Sequence, residues 1–265
     1  MRRVVVLGSG YTGEFLMDEL RLRGFETAHS SRTPALRRVP SSQPPLFRFD
    51  LEDRETWQAP PFSWGCVWLF PAVPSGTVAE FVPHVSHRFE RVVVIGTTSS
   101  YLPVKGNEPV TESAPLDHAS SRVAGEELLR KKGAIVLRSA GIYGPAGLNA
   151  GRRNPLDWLR RGLISDAGRM LNLIQVKDLV TAIVAALESP LKEEQFIVTD
   201  GNPVRWGDIA RWGKEKGYLD TEYFAETGRS QRESKHLSNE KLLAQLKPNF
   251  LHTDLWRELE LLEGN

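Results

Sequence analysis

The 265-residue sequence predicts an α/β fold built on a doubly wound parallel sheet. Three observations carry this. Short β-branched runs such as Val4-Val5-Val6-Leu7 and Val92-Val93-Val94-Ile95 read as strands buried on both faces, as parallel strands are. Amphipathic helical segments alternate with these runs, an order that places helices on both faces of a parallel sheet. The first run leads directly into Gly8-Ser9-Gly10-Tyr11-Thr12-Gly13, a glycine-spaced turn opening a helix.

Taken in order, residues 4–7 form the first strand. Phe15, Leu16 and Leu20, set against Glu14, Asp18, Glu19, Arg21 and Arg23, form an amphipathic helix that ends at Gly24. Residues 25–29 read as a second strand, 30–45 as a Ser/Pro/Arg-rich loop and 46–49 as a short strand before Asp50-Leu51. Residues 66–70 and 92–95 are two further buried strands; Pro71, Pro74 and Pro83 between them predict a helix that is short or starts late. The stretch 97–115 is polar and turn-rich. A helix is expected from about 119 to 132, capped by Gly133, and then a strand over 134–137. Val176, Leu179, Val180, Ile183, Val184 and Leu187 give the cleanest helical period in the chain. Residues 196–198 read as a short strand. Two helices close the chain, with Ser238 and Thr253 as their expected caps.

Composition excludes several classes. Lys+Arg number 34 against 33 Asp+Glu, a net charge of +1, so no global field draws in nucleic acid or an anionic membrane. The single cysteine, Cys66, cannot form an internal disulfide and reads as an inert core thiol. Arg2-Arg3 precedes an apolar run too short for a signal peptide, and no stretch approaches a membrane span, so a soluble cytoplasmic protein is expected. His84 and His87 stand three apart without a partner at metal-ligand spacing and read as a solvated pair; no metal is expected.

The glycine loop carries the first chemistry. Gly8 permits a tight turn, Gly10 lets the backbone approach a pyrophosphate, and Gly13 lets the helix pack on the strand. The helix N-terminus adds unbonded N–H groups and partial positive charge. Gly8, Ser9, Gly10, Tyr11, Thr12 and Gly13 are therefore the candidate cofactor loop of a Rossmann-type domain. An acidic residue after the second strand would hydrogen-bond the ribose of NAD; this sequence has Ser30-Ser31-Arg32 there, with Arg37 and Arg38 behind. Ser31 and Arg32 point to NADP(H), with NAD the alternative and a solvated basic loop the bland reading. Asp50 and Leu51 are candidates for the adenine side, Asp50 equally for a turn cap.

These residues resemble the extended short-chain dehydrogenase/reductase superfamily, in its NAD-dependent epimerase/dehydratase form and in an atypical variety. The resemblance runs along nearly the whole chain. Gly8 to Gly13 matches the fingerprint, and Phe70-Pro71-Ala72 sits where the family's fourth strand meets cofactor. Residues 92–100 look like the fifth strand and its Ser/Thr-rich end. Arg138-Ser139-Ala140-Gly141-Ile142-Tyr143-Gly144-Pro145 is similar to R-x-x-G-I-Y-G-P, and Leu173-Ile174-Gln175-Val176-Lys177-Asp178-Leu179 to I-H-V-x-D-L with Gln175 in place of His. Phe196 to Gly201, Asn172 and the stretch 235–246 extend it.

The resemblance implies a catalytic Ser/Thr with Tyr and Lys spaced Y-x-x-x-K. Thr98 is the match for the hydroxyl, with Ser99 the alternative. In the helix ending Ala124-Gly125-Glu126-Glu127, His118 stands for Tyr and Arg122 for Lys. At i and i+4 the two are expected on one helical face. Arginine can bond ribose hydroxyls but cannot usefully give up a proton, whereas histidine titrates near neutrality. The pair reads either as a His-based proton-transfer site or as a helix kept for packing. Tyr101 and Tyr143 are substitute tyrosines or structural ones.

Arg152-Arg153 and Arg160-Arg161 make a local basic cluster, read either as a site for an anionic substrate or as a solvated face. Trp158, Trp206, Trp212 and Trp256 are expected in packing. The expected organisation is an NAD(P)-binding Rossmann domain over 1–145 and a small C-terminal substrate lobe over 146–265, with segments around 173–200 returning to the first domain. Such a lobe is small for a nucleotide sugar. The leading expectation is an NADP(H)-dependent oxidoreductase or epimerase lacking the usual Tyr/Lys pair, acting on a small molecule and pairing as a homodimer as the family often does. The other is a non-catalytic NAD(P)H-binding redox sensor or regulator.

Overall fold

The computed structural model describes residues 2–8, 10–36, 38, 46–58, 64–69, 75–86, 88–102, 108–164, 166–220 and 235–264. β1 (Arg3–Leu7) runs into α1 (Tyr11–Leu22), and Gly24, at φ +77°, turns the chain into β2 (Glu26–Ser31). Ser30 and Ser31, read as loop, are the last residues of this strand. β3 (Leu46–Arg48), β4 (Gly65–Trp68) and α2 (Ser75–Ser86) follow. α2 starts after Pro74, as the prolines imply, yet continues through Pro83. The backbone bond lost there is offset by burial of Val78, Phe81 and Val82 against the sheet.

β5 (Arg91–Thr97), α3 (Ser121–Arg130) and β6 (Ile135–Ser139) complete the middle of the chain. β7 (Gly141–Tyr143), α4 (Pro155–Arg160), β8 (Met170–Leu171) and β9 (Leu173–Gln175) lead into α5 (Val176–Glu188), where the clean helical period lies. β10 (Gln195–Val198), β11 (Val204–Arg205), α6 (Trp206–Glu215), α7 (Glu240–Gln245) and α8 (Leu255–Glu263) close the chain.

Seven strands form one sheet in the order β10-β6-β5-β4-β1-β2-β3, and every pairing is parallel. The chain moves outward from β1 to β2 and β3, then crosses back to β4 on the other side of β1. This reversal opens a crevice at the carboxyl ends of β1 and β4, the place where doubly wound sheets bind ligands. Leu7 and Trp68 are partners at its floor.

Alternation along β1 explains why its sequence is apolar throughout. Val4 and Val6 enter a cluster with Leu16, Met17 and Leu20 of α1, Leu179, Ile183 and Leu187 of α5, and Leu242 and Leu246 of α7. Val5 and Leu7 enter the opposite cluster with Phe81 of α2, Leu129 of α3 and Trp57. Cys66 is buried in that second layer, and burial pushes its thiol far up, so it is protonated and inert.

A third cluster joins α4, α6 and α8 around Leu156, Trp206, Ile209, Leu255 and Leu259. Trp158 packs edge-on to Trp206 at 6.0 Å, and Trp212 against Trp256 at 5.4 Å, the packing role expected of these rings. α4 and α6 are additions to the sequence reading. Asn154 caps α4 through the Leu156 N–H at 2.9 Å, with Pro155 in the first helical position where no N–H is needed. Two caps shift by one residue. Asp254, not Thr253, accepts from the Trp256 and Arg257 N–H groups at the start of α8. Asn239 precedes α7, while Ser238 Oγ accepts from the Glu240 N–H at 3.3 Å.

Candidate cofactor and active site

The glycine loop lies at the crevice. Gly8 adopts φ +112°, a conformation L side chains rarely take, and its N–H donates to Ser30 Oγ at 3.2 Å. The end of β2 thereby fastens the loop. At Gly13 an added Cβ would run into the Gly8 carbonyl, so only glycine lets α1 approach β1 this closely. At Gly10 an added Cβ meets nothing within 4 Å, and no side chain caps the helix there. The loop is therefore packed on its inner side and open on its outer side, with the first N–H groups of a 12-residue helix behind it. These residues fit a dinucleotide pyrophosphate.

Ser31 is buried and its Oγ accepts from the Thr33 N–H at 3.1 Å; Arg32 is exposed immediately after β2. His29, beside them in β2, is buried, and burial pushes its pKa down, keeping it neutral. Asp50 accepts from the Glu52 N–H at 3.1 Å, and its own N–H donates to Thr56 Oγ1 at 3.0 Å, which makes it the turn-capping residue. Leu51 is buried in the second core layer. Ser9, Arg37, Phe70, Pro71, Ala72 and His87 lie outside the described residues.

Sequence reasoning missed what covers the start of α1. The Tyr11 hydroxyl donates to the Pro145 carbonyl at 3.0 Å, and the Arg153 guanidinium lies 4.5 Å from the centre of the Tyr11 ring. Asn149 donates its N–H to the Glu14 carboxylate at 3.0 Å and exchanges two hydrogen bonds with the Arg38 backbone, at 2.8 and 3.0 Å. The segment after Gly144 thus straps the cofactor loop to the chain beyond β2. Contacts across more than 100 residues leave no local sequence signal.

The carboxyl end of β5 carries the candidate hydroxyls. Thr98 Oγ1 donates to the Ser139 carbonyl at 3.4 Å, and Ser99 Oγ pairs with Thr97 Oγ1 at 2.9 Å on the exposed side. A bridge between Tyr101 and Leu116 and a bond from the Asp117 N–H to the Ser100 carbonyl bring the segment before α3 alongside.

His118 and Arg122 do not share a helical face. The Asp117 carboxylate takes the Ala119 N–H at 3.1 Å, and the His118 N–H turns back to the Leu116 carbonyl at 3.0 Å. The helix therefore begins at Ser121 rather than about 119, and His118 is an exposed turn residue ahead of it. Arg122 donates Nε to Glu126 Oε1 at 3.0 Å, and the other oxygen of that buried carboxylate lies 3.3 Å from Arg138 Nε. Gly96 of β5 makes the room: a Cβ there would press on the Glu126 carboxylate at 2.8 Å.

Neither substitute tyrosine is available for proton transfer. Tyr101 is buried under the Arg138 guanidinium, and burial pushes its phenol up to about 12. Tyr143 is fully buried, donates to the His252 carbonyl at 3.4 Å, and is pushed up further by burial and by nearby carboxylates. Two of the four arginines in the basic cluster are also spoken for. Arg152 and Arg160 both pair with Asp157 and Glu263, clamping α4 to the end of α8, so they are not an open anion site. His84 stacks on Phe81 and lies edge-on to Trp57, and among the described residues no group of three or more His, Cys, Asp or Glu is placed to hold a metal. Among them, too, no helix is long and apolar enough to cross a membrane.

No protein-family model and no curated protein matches the sequence. Solved structures match over its whole length. UDP-glucose 4-epimerase from Thermus thermophilus, in complex with NAD, shares 20% identity at TM-score 0.76, covering 99% of each chain. The chain has the epimerase fold. UDP-glucose 4-epimerase from Thermotoga maritima, with UDP-glucose, shares 17% identity at TM-score 0.75, covering 99% of this chain and 97% of that one. UDP-glucuronic acid 4-epimerase from Bacillus cereus, with UDP-glucuronic acid and NAD, shares 16% at TM-score 0.76, covering 99% and 98%. The doubly wound parallel sheet and the likeness to NAD-dependent epimerases agree with the expectation from sequence.

Proposed function

We propose that this chain binds NADP(H) at the Gly8–Gly13 loop and acts as an oxidoreductase or epimerase without a Tyr/Lys pair. The observation that carries the reading is the asymmetry of the loop, packed at Gly13 and open at Gly10, with Arg32 exposed beside it. Several structural neighbours hold NAD, which supports a nicotinamide dinucleotide. Arg32 would take the 2′-phosphate, and the N–H groups opening α1 the pyrophosphate. A bound nicotinamide supplies hydride transfer to or from a carbon bearing oxygen. Thr98 orients that oxygen, and His118 or a water carries the proton.

A second reading is favoured by one observation. Arg122 is engaged with Glu126, and His118 stands ahead of the helix, so the two substituted positions are not assembled as a pair. On that reading the chain binds NAD(P)H and signals its redox state without turnover.

Titration calorimetry with NADPH and NADH, on wild type and Arg32→Ala, tests the cofactor half. NADPH binding weakened selectively in Arg32→Ala supports it; binding of neither nucleotide overturns both readings. Hydride exchange between labelled NADPH and a broad carbonyl panel separates them: turnover lost in Thr98→Ala selects the enzyme, and stoichiometric binding without exchange selects the sensor.

A further inference from the structure

Lys235 lies ahead of α7, and its placement is part of a closed ring of contacts. Thr98 donates to the Ser139 carbonyl at 3.4 Å. Two residues on, the Gly141 N–H donates to the Asn172 carbonyl at 3.0 Å. The Asn172 side chain donates to the Lys235 carbonyl at 2.7 Å and accepts from the Leu237 N–H at 3.1 Å. The Lys235 ammonium returns to the Tyr101 carbonyl, and the Tyr101 N–H to the Thr98 carbonyl at 3.3 Å. The ring joins the carboxyl ends of β5 and β6 to the junction of β8 and β9. It therefore sets one cation at the Tyr101 carbonyl, three residues along the chain from Thr98, whose hydroxyl the proposed chemistry uses.

Among the described residues that cation has no counter-ion. Its partner is the Tyr101 carbonyl, and burial pushes its pKa down. An ammonium drawn from water without a carboxylate is costly unless an anion completes it. We propose that Lys235 is the recognition group for a carboxylate on the substrate. A single ammonium, with both polar atoms of Asn172 already bonded, offers its charge to one carboxylate and lacks the further donors that gather the oxygens of a phosphate. As a statement about substrate class, the inference rests on the oxidoreductase reading and makes the substrate a small hydroxy- or oxo-carboxylate.

Reductive methylation of the intact wild-type protein at neutral pH, with formaldehyde and dimethylamine–borane, reads Lys235 directly by peptide mass spectrometry. The probes are acetate, inorganic phosphate and chloride at equal ionic strength and without nucleotide, with Lys216 and Lys241 as internal references. The expected result is that acetate slows modification of Lys235 at least fivefold relative to chloride, phosphate does so less, and the references are unchanged. Equal rates in acetate and chloride overturn the proposal, because a lysine that only anchors the Tyr101 carbonyl is indifferent to the anion. Stronger protection by phosphate overturns the carboxylate assignment. NADPH titration of Lys235→Met, expected to match wild type, keeps the two ideas apart: failure of wild type to bind NADPH removes the cofactor reading and leaves the methylation result standing.

Discussion

Arg122 gives its Nε to one oxygen of Glu126, and Arg138 approaches the other, so a fully buried carboxylate on α3 is shared by two arginines. Burial pushes the Glu126 pKa up, and the two arginines oppose it. The position expected to serve a cofactor instead serves the packing of α3 on β5 and β6. Removing the shared partner leaves the fully buried Arg138 with Glu127 and Gln195 alone, so Glu126→Ala is expected to cost about 1–3 kcal/mol in urea unfolding. Arg122→Met, at a half-buried end of the network, costs far less. If Arg122 is structural, that variant keeps wild-type NADPH affinity within about twofold, a difference of about 0.4 kcal/mol.

The two inner glycines of the loop separate stability from binding. Gly13→Ala drives a methyl into the Gly8 carbonyl and is expected to destabilise by about 1–3 kcal/mol and to abolish tight NADPH binding. Gly10 has an ordinary φ of −79° and open space above it. Gly10→Ala therefore folds with its melting temperature nearly unchanged, while its methyl occupies the pyrophosphate position and weakens NADPH at least tenfold, about 1.4 kcal/mol. Equal nucleotide affinity in Gly10→Ala and wild type, by calorimetry, would remove the phosphate site from this loop.

What the sequence made legible follows from range. β1, the glycine turn and α5 are local patterns: a β-branched run, a spacing of glycines and a 3.6-residue period, each decided by its own neighbours. The start of α3 was misread because Ala119 and Ser120 suit a helix, while the Asp117 side chain competes for the Ala119 N–H and ends the helix early. α4 is six residues long and opens on Pro155, where a helix tolerates it, and α6 carries Gly207 and Gly213 within its ten residues, so neither shows a long clean period. In the candidate site, the glycines and Thr98 were found by motif. Glu14, Asn149, Arg153 and Lys235 act through contacts that only the folded chain creates.

The strap over α1 predicts slow nucleotide exchange. Asn149 holds Glu14 and Arg38 together, and Asn149→Ala removes the two side-chain bonds to the Arg38 backbone. Its N–H contact to Glu14 is a backbone one, so the loss acts on the Arg38 side, where two exposed bonds are worth about 1 kcal/mol together. NADPH dissociation, followed by fluorescence after displacement, is expected to quicken about fivefold while association changes little. Tyr11→Phe, which loses only the bond to the Pro145 carbonyl and keeps the ring beneath Arg153, is expected to show a smaller acceleration. Association slowed in both variants, with dissociation unchanged, would place the strap away from the nucleotide's path.

Asp200 gives the fold a pH dependence of definite sign. It is buried after β10, accepts from the Asn202 N–H at 2.8 Å, and burial, with Asp178 nearby, pushes its carboxyl up to about 7. An ordinary aspartate titrates near 3.9 when the chain is unfolded. Between those two values the folded chain holds a proton that the unfolded chain has lost. The contribution of Asp200 is thus most favourable below about pH 4 and falls as pH rises to about 7, by up to about 1.4 kcal/mol per pH unit. Asp200→Asn keeps the acceptor for Asn202 and cannot ionise. The difference in unfolding free energy between Asp200→Asn and wild type is therefore expected to grow in favour of the variant from pH 5 to pH 7 and to level off above pH 8. A difference that stays flat across this range, in urea titrations at each pH, would show that Asp200 is ionised in the folded protein throughout.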